Sequence, residues 1–303
     1  MIDTTQVASK PEDLGIDPEK LEAVFARAKR EVDDGVLPSA QIAVARHGRI
    51  AGMRTFGSAV QGGVERPATD DTLYVFFSCT KAIVAAAVWL LFESGDLRLD
   101  ERVGEIIPEF GTNGKDVITV EQLMLHAGGF PYAPMPIEAW EDRDARLRRF
   151  SEWRLNWEPD SRFEYHATSA HWVLAEIIER VTGEDFRDFV EQRVTRPSGI
   201  DKRVLGVPRD QQDGIATLVN VGESPTPEEL KAALGIESLP VTEVTPDALV
   251  SFNQPEVREV GVPGGGGLMT AADLATYYQA LLLNPGGIWD TEVLRDATGN
   301  VRS

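Results

Sequence analysis

"FFSCTKAIVAAAVWLLFESGDL", Phe76 to Leu97, puts a serine, a cysteine and a lysine ahead of a long apolar run. From Ala82 to Phe92 the run is apolar on every side, which predicts a central buried helix rather than an amphipathic surface one. Ser94-Gly95-Asp96 is its stop signal. A lysine at the head of such a helix is costly to bury and implies a purpose beyond packing. Ser78-Cys79-Thr80-Lys81 is the only S-x-x-K in the chain. Residues three apart on a helix share a face, so Lys81 presents its amine beside the Ser78 hydroxyl. A serine alcohol needs a base before it can attack. A lysine amine serves only when neutral, and burial among Phe76, Phe77 and Val84 would lower its pKa. The helix N-terminus adds positive potential and a backbone N–H where an oxyanion would form. Cys79 is expected to be a small core-facing spacer.

Upstream, Asp17 caps a first helix with Pro18 at its first position, and Leu21, Val24, Phe25 and Ala28 form its apolar stripe. A hairpin follows: Ile42 and Val44 share a face, His47-Gly48 turns, and the chain returns from Ile50 to Phe56. Downstream, Thr119 and Gln122 make a capping box for a helix that stops at Gly128-Gly129. Glu141–Phe150 alternates in charge and predicts a solvated helix. Thr168–Thr182 predicts a helix burying Trp172, Leu174, Ile177, Ile178 and Val181. From Gly206 to Val262 the chain turns rich in Pro, Glu and Val with weak periodicity, a loop-rich excursion. Thr270 caps a last helix through Leu274, Tyr277, Tyr278 and Leu281. Helix, hairpin, many helices and a helix returning to the sheet point to an α/β (α+β) sheet domain with a helical insertion. The expected division is 1–70 for the N-terminal helix and first strands, and 71–205 for the helical domain. The excursion takes 206–262, and 263–303 returns to the sheet domain.

Among 303 residues, 42% are apolar and the net charge is −19, so neither nucleic acid nor an anionic membrane is an expected partner. One cysteine excludes an internal disulfide framework. The start, MIDTTQVASKPED, lacks a basic region and an apolar core, so no signal peptide is expected. The apolar run after Lys81 reads as too short to span a bilayer. A cytoplasmic protein follows as the expectation, its oligomeric state open.

No G-x-S-x-G elbow accompanies the four histidines. His126 precedes a Gly-Gly turn and reads as structural, and His47 as an exposed turn residue. His166 and His171, five apart, point to different helix faces, which argues against a zinc pair. No metal or cofactor is expected. Tyr132, Trp140, Trp153 and Trp157 read first as packing residues.

These segments together resemble the class C β-lactamase-like serine hydrolases, the superfamily of penicillin-binding proteins, D-alanyl-D-alanine peptidases and family VIII carboxylesterases. Ser78-Cys79-Thr80-Lys81 with AIVAAAVWLLFESGDLRLDERVGEIIPEF resembles the nucleophile box and its helix. ITVEQLMLHAGGFP resembles the helix, histidine and glycine turn that follow. WEPDSRFEYHATSAHWVLAEIIERVTG resembles the second box, and PGGGGLMTAADLATYYQALL the glycine turn and helix before the third. The resemblance implies a penicillin-binding-protein-like fold, an antiparallel sheet flanked by helices plus a helical domain. It implies Ser78 as acylated nucleophile, Lys81 as base or proton shuttle, and Tyr165 as the second-box tyrosine sharing a proton with Lys81. It places the segment between the two boxes beside an acyl pocket. Tyr132, Trp157, His166 and Gly266 are thus candidate substrate contacts, and His166 could also tune Tyr165.

Two departures from the family pattern matter. The usual Tyr-x-Asn reads Tyr165-His166-Ala167 here, and Ala167 has no side chain to grip a substrate amide. That favours an esterase over a lactamase or peptidase. The third box, a Lys-Thr-Gly, His-x-Gly or Trp-Gly-Gly on a strand, finds no match before Ser303. The expectation is a chain truncated ahead of that box, lacking sheet strands, an oxyanion donor and a terminal helix, with an unpaired sheet edge. The function expected is hydrolysis of small carboxylic esters through a Ser78 acyl-enzyme, with no cofactor. A β-lactamase, D-Ala-D-Ala peptidase or acyltransferase acting on amides or esters is the alternative. A non-catalytic scaffold or binding protein on the same fold is the second.

Overall fold

The computed structural model describes residues 7–237 and 244–302. Helix α1 (Pro18–Asp33) starts where the Asp17 carboxylate accepts the Glu19 and Lys20 N–H groups. Leu21 and Phe25 are buried, but Val24 lies outside the stripe, 45% exposed. Strands β1 (Ser39–Arg46) and β2 (Arg49–Gln61) pair antiparallel from Ser39↔Gly57 to Arg46↔Arg49, with an irregularity at Val44/Ala45. His47 and Gly48 both take positive φ, as a tight hairpin turn demands. β2 runs past Phe56 and pairs with β3 (Val64–Pro67), giving the order β1-β2-β3. β4 (Tyr74–Val75) then leads through a single 3₁₀ turn, Phe77–Cys79, into α2 (Thr80–Ser94).

α2 is the spine of the larger body. Ile83, Val84, Ala86, Ala87, Val88 and Leu91 are all buried in one core cluster. From Phe77 to Ser94 this segment is long and apolar enough to cross a membrane, against the shorter span read from Ala82–Phe92. The helix begins earlier than its apolar residues suggest. α3 (Val103–Ile106), α4 (Val120–Met124), α5 (Arg143–Glu152), α6 (Ser169–Thr182) and α7 (Phe186–Val190) follow it in the chain, and α6 and α7 pack directly on it. The Thr119–Gln122 capping box forms, and α5 buries Phe150 alone. α6 packs on α2 and buries Trp172, Leu174, Ile177 and Ile178. The excursion holds the short helices α8 (Pro227–Leu234), α9 (Pro246–Val250) and α10 (Pro255–Val260). β5 (Leu268–Met269) pairs with β4, α11 (Ala271–Leu283) packs back on β1 and β2, and α12 (Thr291–Gly299) lies on α2.

A second buried lysine belongs to this architecture. Lys115 is fully enclosed and donates to the Thr112 carbonyl at 2.8 Å, the Thr112 hydroxyl at 3.2 Å and the Trp153 carbonyl at 2.6 Å. It ties the loop before α4 to the end of α5. Burial lowers its pKa to about 8. Lys115→Met would leave these oxygens without their donor, for a loss of about 2–4 kcal/mol of stability. A denaturant midpoint unchanged from wild type would show that the cation adds nothing net.

Candidate active site

Ser78 sits in the 3₁₀ turn, one turn ahead of Lys81 on α2. Phe77 before it has φ 44°, a left-handed conformation that costs a bulky residue strain. The turn leaves Ser78 exposed while Lys81 is buried. Cys79 is exposed too, not core-facing, because the 3₁₀ turn and not the helix sets its direction. The Lys81 amine lies 3.3 Å from Ser78 Oγ and donates to the Gly264 carbonyl at 2.6 Å. Its nitrogen is 5.0 Å from the centre of the Tyr165 ring. Burial holds the Lys81 pKa below its ordinary value, against the raising influence of the Tyr165 phenol.

The glycines at 264–267 let this contact happen. The Phe76 N–H donates to the Gly267 carbonyl at 3.1 Å, and the Gly267 N–H to Thr80 Oγ1 at 3.0 Å. A Cβ on Gly267 would stand 2.2 Å from the Phe76 ring, and one on Gly264 would stand 3.2 Å from the Ala167 carbonyl. The bare backbone therefore lies flat against the Ser78 turn.

A cavity of about 690 Å³ opens from Ser78, Tyr165, Gly264 and Gly265. Phe77, Met135, Ile137, Trp140, Phe252 and Val262 supply much of its wall, with Ala167 beside Tyr165. No Asp, Glu, Lys, Arg or His is among the described residues that line it. Phe252 meets Phe77 at 5.6 Å and Trp140 at 6.0 Å between ring centres.

Four other candidates lie off this wall. Tyr132 sits edge-on to Trp157 at 6.0 Å, with its hydroxyl 3.5 Å from Glu164. Trp157 carries the Arg162 guanidinium 3.4 Å above its ring. His166 is buried, and Gly266 is held by its N–H to the Val262 carbonyl at 2.7 Å, while Gly264 and Gly265 reach the cavity. Sequence reasoning missed Met135, Ile137 and Phe252. Trp140 was legible as an aromatic between the boxes, whereas nothing local marks Phe252 within the excursion.

Behind Tyr165 lie three histidines. The His126 ring is 5.0 Å from the Tyr165 ring, 5.8 Å from His166 and 6.0 Å from His171. Among the described residues no group of three or more His, Cys, Asp or Glu could hold a metal ion.

The beta-lactamase family model matches residues 24–303. The chain belongs to the beta-lactamase family. Among its relatives, esterase EstB of Burkholderia gladioli is 32% identical over 300 residues, covering 92% of this chain and 73% of the esterase. A putative D-alanyl-D-alanine carboxypeptidase of Escherichia coli (strain K12) is 30% identical over 217 residues, covering 65% of this chain and 50% of the relative. A penicillin-binding protein homologue from Caulobacter crescentus superposes with a TM-score of 0.74 at 26% identity, over 95% of this chain and 78% of that one. A family VIII carboxylesterase gives 0.73 at 25% identity, over 92% and 74%. This member of the family is a hydrolase of the beta-lactamase and esterase type.

Burial brings the His126 pKa down to about 4 from 6.5, with the charges of His166 and Lys81 adding to it, and lowers those of His166 and His171. All three are thus neutral at pH 7. A base whose folded pKa is depressed takes up its proton in the unfolded chain first, so stability falls as pH drops from 6.5 towards 4 and levels below. For His126 the loss reaches about 3 kcal/mol. Urea midpoints across this window should slope less for His126→Asn than for wild type. Equal slopes would contradict the assignment.

Proposed function

We propose that this chain hydrolyses small carboxylic esters through an acyl-enzyme on Ser78. The observation that carries the reading is the Lys81 amine 3.3 Å from Ser78 Oγ, at the mouth of an uncharged, apolar cavity. Ser78 Oγ attacks the ester carbonyl while Lys81 takes its proton. The Gly264 carbonyl keeps the amine aimed, and burial favours the neutral base. Ser78's own N–H, at the amino end of α2, is the oxyanion donor this chain offers. Tyr165 passes the proton to the departing alcohol, and water, activated by the same pair, releases the acid.

Ala167 on the cavity wall supports an ester over a β-lactam or peptide, since its side chain offers no partner to a substrate amide. The described wall residues carry no charge, which favours a neutral apolar acyl group. Each added methylene should raise kcat/KM up to about fourfold until the cavity fills. Cleavage of D-alanyl peptides or β-lactams is the second reading, favoured by the carboxypeptidase relative.

A fluorophosphonate probe, mapped by mass spectrometry, and p-nitrophenyl esters of increasing chain length test the proposal, with nitrocefin as the competing substrate. Labelling at Ser78 and ester turnover are expected, both lost in Ser78→Ala. Lys81→Met should lower kcat by about 10²–10⁴. Activity should climb with pH to a plateau below 10.5, the ordinary lysine value from which Lys81 is lowered. No adduct on Ser78 together with no ester turnover would sink the reading, and nitrocefin turnover without ester turnover would favour the second.

A further inference from the structure

Tyr165 poses a mechanical problem. Residues 162–166 adopt neither helix nor strand, and the Tyr165 side chain is 45% exposed. Neither a regular ladder nor enclosing packing holds the phenol against Lys81. What holds it is the backbone on either side of it.

That backbone is tied to one residue, His126, on the glycine turn after α4. The Glu164 N–H donates to the His126 carbonyl at 3.3 Å, and the His166 N–H donates to His126 Nδ1 at 3.1 Å. An imidazole nitrogen thus completes the second rung of a two-rung ladder spanning Tyr165. His126 reaches both positions because it takes φ 56°. The His166 ring locks the other side: its Nδ1–H donates to the Glu164 carbonyl at 2.7 Å, and its Nε2 accepts the Phe130 N–H at 3.1 Å. The two bonds in which a ring nitrogen accepts require a neutral ring with a defined tautomer, with the proton on Nε2 in His126 and on Nδ1 in His166. An imidazolium at either site would face an N–H with another N–H. Burial opposes that state in both.

We propose that His126 and His166 are positioning residues, a neutral imidazole clip that aims Tyr165 at Lys81 by holding the backbone on both sides of it. The proposal deepens the serine-hydrolase reading and rests on it. Neither ring lines the cavity or bonds to Ser78, and the bonds of the clip fall on the residues either side of Tyr165, so the cycle with Tyr165 separates aiming from any direct influence on Lys81.

A double-mutant cycle on the intact protein tests this, read both as p-nitrophenyl ester turnover and as the rate of fluorophosphonate labelling of Ser78. His126→Leu removes the ring acceptor, and His166→Phe removes both ring bonds while keeping a ring against Phe130. Each should lower kcat about 10-fold to 100-fold with KM moved less than about threefold, the cost of a misplaced catalytic group. His126→Asn should recover activity to within about threefold of wild type, because asparagine offers an acceptor oxygen on a short side chain and tolerates the left-handed backbone. In a Tyr165→Phe background, His126→Leu and His166→Phe should each cost less than about threefold, since the group they aim is gone. A residue needed only for stability would cost the same in both backgrounds.

Additive losses, or His126→Asn no better than His126→Leu, would overturn the clip. If His126→Leu does not fold, His166→Phe carries the same cycle. A wild-type protein that labels at Ser78 but turns over no ester would refute the substrate class, and the labelling rates would still decide on the clip. A wild-type protein that neither labels nor turns over ester would overturn both.

Discussion

The hydrogen bond from the Lys81 amine to the Gly264 carbonyl at 2.6 Å ties the buried amine to the other half of the site. It links the first turn of α2 to a chain segment 183 residues away. The role of base proposed for the amine needs it partly desolvated, and a neutral oxygen as anchor suits that role. A carboxylate there would fix the proton on nitrogen. The anchor must also come close, which is why the segment is glycine. Along the same segment, Gly267 lies against Phe76 and Thr80, and β5 pairs with β4 on the residues before the Ser78 turn. The position of α11 on β1 and β2 follows from where β5 ends.

Lys115 clarifies what distinguishes Lys81. Both are buried and bonded to neutral oxygens, and neither forms an ion pair among the described residues. Lys115 has three oxygens around it and no cavity, which is a structural tie. Lys81 shares its surroundings with a hydroxyl and a phenol that open on a cavity. An enclosed carboxylate is handled differently. Glu176, buried in α6, is gripped by the guanidinium groups of Arg143 and Arg180 at 2.7 Å each, and Arg180 extends to Glu109. These charges pin α5 and α6 to the loop after α3, well away from the base.

Features written in neighbouring residues were legible in the sequence. The S-x-x-K spacing, the Thr119–Gln122 box, the Thr270 cap, the hairpin turn and the all-apolar α2 each depend on side chains a few positions apart. The Tyr165 box was legible through resemblance, and its geometry beside Lys81 was not. What escaped depends on distance along the chain or on backbone angle. Phe252 reaches the cavity from an excursion without periodicity. Cys79 turns outward on a 3₁₀ turn that opens with a left-handed Phe77, which no pattern announces. His126 looked structural and His166 looked like a substrate contact, because the bonds that relate them span 40 residues.

Much of the cavity wall comes from stretches of chain other than those that carry Ser78 and Lys81. Met135, Ile137 and Trp140 sit on one connecting segment, and Ala248, Leu249 and Phe252 on another, while Lys81, Gly264 and the turn at Ser78 are fixed by one another. Changes in the wall leave the base and its anchor undisturbed. On the proposed reading, the fold thereby separates much of the choice of acyl group from the chemistry performed on it. A lineage built on this plan can exchange one substrate for another through substitutions in two loops, without passing through an inactive ancestor.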